Sequence, residues 1–205
     1  MNAKTLQMLW HASDHYESHG FNPIDVPWSV EPAFSEMTSV DDAFALRGGN
    51  VMVGSAEQAF LQQMIAPASG YPVVLLDKTY QAITPCFRGD TTDELHRTQF
   101  MKLELFSASK DVDRLFKILD RVRELAVDLF EEMIVEYAGD HRHLLLTSVL
   151  PTGGQSFDIN LIRIGREPIE LGSYGIRSYH DTHWVYGTGL ALPRFADAVS
   201  ILTGN

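Results

Sequence analysis

The chain contains one cysteine, Cys86, in 205 residues. That excludes an intrachain disulfide framework and a cysteine-rich zinc site, and it points to a reducing, cytoplasmic setting. No apolar run reaches the roughly 18 residues needed to cross a bilayer, so no membrane association is expected. The opening stretch MNAKTLQMLWHASDHYESHG is polar and amphipathic and lacks the apolar block of a signal peptide. Basic runs, low-complexity tracts and internal repeats are also missing. The net charge of −11 argues against a broad nucleic-acid surface, although a local basic patch can sit on an acidic protein.

What is present suits one compact fold. The composition is 45% hydrophobic, enough for a sizeable core, and no linker interrupts residues 1–205, which read as a single domain. A helix is expected over about Thr5–Ser18, with Leu6, Leu9, Trp10 and Ala12 on one face and Gly20 as its stop. FNPIDVPW reads as extended. A short strand and a turn then precede a helix from about Ala56 to Ile65. YPVVLLDKTYQAITPCFR holds two strand-like runs, and QFMKLELF alternates as a strand. The strongest periodicity runs from Asp111 to about Ala138. There Leu115, Leu119, Val122, Leu125, Leu129 and Met133 recur at helical spacing behind an acidic start. HLLLTSVL, SFDINLIRI and IELGSYGIRS read as strands, and YGTGLALPRFADAVSILTG as a glycine turn leading into a helix. Strands without regular βαβ alternation predict an α+β fold, a mainly antiparallel sheet flanked by helices.

The segment PCFRGDTTDELHRTQFMKLELF gathers unusual chemistry. Arg88 leaves a strand before a glycine-containing loop, and its guanidinium fork matches phosphate oxygens. Asp90 shares its face, and His96 and Arg97 lie on the far arm. Phe100 offers a ring on which a base can stack, and Glu104 projects from the same strand face. Near the C-terminus, GTGLALPR brings glycines and then Arg194 at the head of a helix. Glycines there would let backbone approach a ligand. Phosphate, purine and ammonium each find a partner in such a set. Residue by residue, surface ion pairs account for the arginines, core packing for Phe100 and a wet sheet face for Glu104 and Glu170.

Taken in order, these stretches resemble the catalytic core of a class II aminoacyl-tRNA synthetase, nearest to the seryl type. HYESHGFNPIDVP resembles the first family motif, with Pro27 as its proline. FRGD, HRTQF and FMKLE resemble the parts of the second, and GTGLALPR resembles the third, with Ala191 where its last glycine stands. GSAE and IELGS resemble the loop that meets the substrate amino group and the strand that carries a metal-binding acid.

The resemblance implies ATP and Mg²⁺ as cofactors. It implies that Arg88 binds the α-phosphate as a catalytic residue and that Asp90 lies near the adenine amino group, where it is shorter than the usual glutamate. His96 would meet the γ-phosphate. Phe100 and Arg194 would sandwich the adenine, with Arg194 also catalytic. Glu57 and Glu104 would hold the amino acid, Glu170 and Ser173 the metal, and Pro27 would lie at a homodimer interface. The implied function is ATP-dependent amino acid activation, with tRNA, a carrier protein or a small molecule as acceptor. The alternative is a non-catalytic synthetase paralogue acting as a binding or regulatory module.

Other features read more plainly. His11, His15 and His19 form a helix stripe that suits a solvated face better than a metal site. His180, Asp181 and His183 read as a loop. Cys86 is expected to be buried, on the strand face opposite Arg88.

Overall fold

The computed structural model describes residues 3–38, 43–89, 97–139, 144–149, 156–162 and 167–203. In chain order the elements are α1 (Ala3–Ser18), β1 (Asn22–Pro23), β2 (Ser29–Val30), α2 (Pro32–Glu36), β3 (Val51–Met52), α3 (Ala56–Ile65), β4 (Thr79–Phe87), β5 (Gln99–Ser109), α4 (Val112–Ala138), β6 (Leu144–Val149), β7 (Ser156–Ile162), β8 (Ile169–Tyr179), β9 (Thr182–Leu192) and α5 (Arg194–Thr203). One sheet runs β1-β4-β5-β9-β8-β7-β6, and β2 pairs with β3 in a small second sheet. Among the described strands only the short β1–β4 pairing is parallel. The expected mainly antiparallel α+β architecture is therefore the observed one.

The helices form because their ends and faces are both specified. Asp111 caps α4 by accepting from the amides of Asp113 and Arg114 at 3.0 and 3.3 Å. Gly139 ends it in the left-handed conformation at φ 63°, which glycine adopts without steric cost. Every apolar residue of the predicted α4 stripe is buried. That face packs with α1 and α5 on one side of the sheet, where Phe130 and Phe195 stack with centroids 5.8 Å apart. Each fully buried Leu or Phe there contributes about 1.5–3 kcal/mol of transfer free energy. On the opposite side α3 and the β2–β3 pair cover one end of the sheet, around Phe60, Phe106 and Trp184. Among the described residues no further hydrophobic cluster covers the rest of that side, the open face, yet Thr84, Lys102, Glu104 and Thr188 on it are buried.

Several details differ from the sequence reading. Leu6 and Trp10 point outward, 43% and 64% exposed; the inner face of α1 is Met8, Leu9, Ala12 and Tyr16. The run Tyr71–Leu76 is not a strand, so YPVVLLDKTYQAITPCFR yields β4 alone. The glycines of GTGLALPR are not a turn: Gly187 and Gly189 lie inside β9. They face the helices, not a ligand. A Cβ on Gly189 would come within 2.2 Å of Leu103 and 2.9 Å of Tyr16, and one on Gly187 within 2.8 Å of Tyr174. The Tyr16 hydroxyl uses this close approach to donate to the Gly189 carbonyl at 3.1 Å. The histidine stripe packs onto α4, with His15 Nε2 3.0 Å from the Leu125 carbonyl and His11 between Glu132 and Glu136.

Two irregularities adjust the sheet. Leu103 pairs with Leu190 but Glu104 with Thr188, which leaves Gly189 as an extra residue. Ile159 pairs with Gly172 but Asn160 with Glu170, which leaves Leu171 extra. These are β-bulges, and each reverses the inside–outside alternation of its strand beyond that point.

Candidate active site

The open face of the sheet carries the polar side chains in rows, because directly paired residues share a face. Cys86 lies beside Phe100, Thr84 beside Lys102 and Ala191, and Ala82 beside Glu104 and Thr188. Farther along come Tyr80, Phe106, Tyr186 and Gly175, and then Ala108, Trp184 and Arg177. Residues 86 and 88 are an even step apart on an extended chain, so Cys86 shares its face with Arg88 and not the opposite one. The thiol is buried, and loss of hydration pushes its pKa up to about 11. It is therefore an inert packing group at neutral pH.

At one end Arg88 stands over the Phe100 ring at 5.4 Å. The Arg88 amide donates to the Thr98 carbonyl at 3.0 Å, closing the two arms of the hairpin. Its Nε donates to the Gly54 carbonyl at 3.0 Å, tying the guanidinium to the turn before α3. Asp90 and His96 lie outside the described residues. Arg97, on the returning arm, reaches Asp197 in the first turn of α5 at 3.5 Å. The hairpin arm therefore meets the helix that begins at Arg194. Arg194 itself pairs with Glu170 at 3.0 Å.

The N-terminus of α3 forms the middle of the site. Ser55 caps it, accepting from the Glu57 amide at 3.4 Å and donating to Glu104 Oε2 at 2.5 Å. Lys102 Nζ lies 2.7 Å from the same oxygen. Glu104 is fully buried, and its Oε1 has no hydrogen-bond partner among the described residues. A buried carboxylate oxygen left in this state favours an incoming donor.

Glu57 is also buried, but both its oxygens are used. Oε1 accepts from the Trp184 indole at 2.6 Å and Oε2 from Arg177 Nη1 at 2.5 Å. Burial raises its carboxyl above the ordinary range, against the pull of the Arg177 guanidinium. Arg177 lies over the Tyr186 ring at 4.2 Å.

Across β9, the second bulge brings Glu170 and Ser173 to the open face despite their odd spacing. Ser173 pairs with Asp158 on β7, and their side chains hydrogen-bond. Burial raises the Asp158 carboxyl, and the neighbouring Glu170 charge adds to the rise. Among the described residues no group of three or more His, Cys, Asp or Glu is arranged to hold a metal ion. Glu170 and Ser173 nevertheless present hard oxygen donors, which suit Mg²⁺ when phosphate oxygens complete its shell.

Pro27 lies apart from this face. It is buried, and it lines a cleft of about 360 Å³ with Trp28, Ser29, Asn50, Met52, Gln62, Ala68 and Tyr71.

The fold has known counterparts. The chain is similar in structure to pyrrolysyl-tRNA synthetase from Desulfitobacterium hafniense, with 15% identity, a TM-score of 0.63 and coverage of 98% of this chain and 70% of that one. It is similar to seryl-tRNA synthetase from Pyrococcus horikoshii complexed with ATP, with 18% identity, a TM-score of 0.68 and coverage of 96% and 49%. It is also similar to cytoplasmic serine-tRNA ligase from Naegleria fowleri in complex with AMP, with 14% identity, a TM-score of 0.69 and coverage of 100% and 54%. The chain has the class II aminoacyl-tRNA synthetase fold. It spans about half the length of the two serine enzymes. No protein-family model matches it, and no curated relative matches it in sequence.

Within the class II fold, the sequence reading missed part of the site. Lys102 was legible, since QFMKLELF alternates and places it between Phe100 and Glu104 on one face. Arg177, Trp184 and Tyr186 carried no motif, and only the pairing of β8 with β9 brings them to Glu57.

Proposed function

We propose that this chain activates an amino acid with ATP, forming an aminoacyl-adenylate on the open face of the sheet. The observation that carries the reading is the Arg88–Phe100 pair, a guanidinium anchored over an aromatic platform at the edge of a wall of buried, paired glutamates. The fold shared with a synthetase complexed with ATP supports it.

In this reading Arg88 moves off the Phe100 ring toward the α-phosphate, Phe100 stacks the adenine, and Arg194 closes over it. For Arg194 to do so, its pair with Glu170 must open, which costs little because Glu170 is 43% exposed. Glu170 and Ser173 would then hold Mg²⁺, which would neutralise phosphate charge. Arg88 binds the α-phosphate and stabilises the charge that builds there. Asp90 and His96 complete the nucleotide contacts from the loop. The amino acid lies against Glu104, whose free Oε1 takes the ammonium, while Glu57 orients the groups around it.

The substrate carboxylate attacks the α-phosphorus. The new bond is carboxylate oxygen to phosphorus; the bond that breaks joins the α-phosphorus to the bridging oxygen, and the electron pair departs with pyrophosphate. A general base is not needed, because the carboxylate is already ionised at neutral pH. Positioning and charge stabilisation supply the acceleration. The acceptor is a nucleophile on tRNA, a carrier protein or a small molecule.

The same reading makes the chain a cytoplasmic homodimer, built as one catalytic unit and paired across the face that holds Pro27, Trp28 and Tyr71. Trp28 and Tyr71 are 57% and 40% exposed there. A monomeric mass in solution contradicts that pairing.

The deciding experiment is ATP–pyrophosphate exchange with each standard amino acid. Exchange with any of them establishes activation, and charging of total tRNA then tests the acceptor. Silence with all of them, together with retained ATP binding, favours the non-catalytic module.

A further inference from the structure

The amino-acid end of the site contains a cation that the activation chemistry does not use. Arg177 projects from β8 onto the open face, beyond Glu104 as seen from Arg88. It is held at two points. Nη1 donates to the buried Glu57 carboxylate at 2.5 Å, and the guanidinium plane rests over Tyr186 at 4.2 Å. Glu57 is fixed in turn by Trp184 at 2.6 Å and by its place at the capped N-terminus of α3. Such a guanidinium loses little freedom on binding a ligand. Its side chain keeps 37% of its surface exposed, whereas that of Glu57 keeps 3%. Among the described residues, no acceptor other than Glu57 receives a hydrogen bond from the fork.

Charges elsewhere in the pocket narrow the ligand. Glu57 is matched by Arg177, and Glu104 by Lys102 at 2.7 Å. The wall is thus neutral before any substrate arrives. A substrate ammonium finds the free oxygen of Glu104. A cationic side chain placed beyond it meets the like charge of Arg177, and an apolar side chain leaves the exposed donors of Arg177 desolvated and unpaired. A carboxylate satisfies them in the planar, bidentate way that a guanidinium favours.

We propose that Arg177 is a specificity-determining residue that reads a side-chain carboxylate, so that the substrate is an acidic amino acid. This deepens the activation reading and rests on it for the position of the α-carboxylate. Glu57, Trp184 and Tyr186 are positioning residues that hold the fork.

The test is ATP–pyrophosphate exchange with L-aspartate, L-glutamate, their amides and the other standard amino acids, on the wild-type chain and on Arg177→Lys. Lysine keeps the charge beside Glu57 and removes the fork, so the variant is expected to fold; thermal unfolding checks this. The expected result is fastest exchange with aspartate or glutamate. In the variant, KM for that acid rises at least tenfold while KM for ATP is unchanged. Fastest exchange with a neutral or basic amino acid overturns the inference and leaves the activation reading standing. If no amino acid supports exchange, thermal shift with the two acids plus ATP and Mg²⁺ decides. Stabilisation of the wild type but not of the variant keeps the inference and removes activation. No stabilisation removes both.

Discussion

Glu57 and Glu170 each hold an arginine, but in opposite surroundings. The Glu57–Arg177 pair is sealed on its acidic side: the glutamate is buried, bonded through both oxygens and set into a helix start. The Glu170–Arg194 pair lies on an open strand, with side chains 43% and 21% exposed. One pair belongs to the framework, because breaking it strands a charge without water. The other resembles a latch, because water replaces either partner, and a phosphate replaces Glu170, at little cost. Under the activation reading, a site that admits a triphosphate at one end and discriminates a small molecule at the other needs both kinds.

The sharpest way to break this contrast is Glu57→Ala. It leaves Arg177 and the Trp184 indole without their acceptor, and we expect a loss of about 3 kcal/mol in urea unfolding, the low end for a broken buried pair because Arg177 keeps some hydration. A double-mutant cycle of Glu57→Ala with Arg177→Met is expected to return a coupling of about 2 kcal/mol; a value near zero shows that the two do not act as a unit.

A third measurement uses pH. Burial raises the Glu57 carboxyl above its ordinary value of 4.5. The folded chain then binds a proton that the unfolded chain has released, and the associated stability is present at low pH and lost as pH rises through the raised value. Wild type is therefore expected to lose stability relative to Glu57→Gln as pH climbs from 4.5, with Glu104 and Arg177 the charges facing the group. An opposite slope indicates that Arg177 outweighs burial.

The smallest expected effect is that of Glu170→Ala, less than about 1 kcal/mol in stability. Under the activation reading it nevertheless lowers exchange by at least tenfold. A stability loss as large as that of Glu57→Ala abolishes the distinction between framework and latch.

Much of the framework was readable before any coordinates. The α4 stripe, the Asp111 cap and the alternation of QFMKLELF are local signals, and the structure keeps them. What local reading could not supply was pairing. Arg177 becomes part of the site only through contact with Glu57, 120 positions away. The glycines of GTGLALPR were misread for a related reason. Their small size serves the helices behind the sheet, and nothing in the motif itself says which side they face.

The extra residues at Leu171 and Gly189 have a further consequence. Strict two-residue periodicity would send Glu170 and Ser173 to opposite sides and would turn Leu190 and Leu192 out of the core. Each bulge acts as a phase shifter, so that an odd count along the chain arrives as neighbours in space. Removing one residue at either place would leave the composition almost unchanged yet exchange the oily and the wet side for everything downstream within that strand. The chemistry of this sheet is therefore stored partly in its counting.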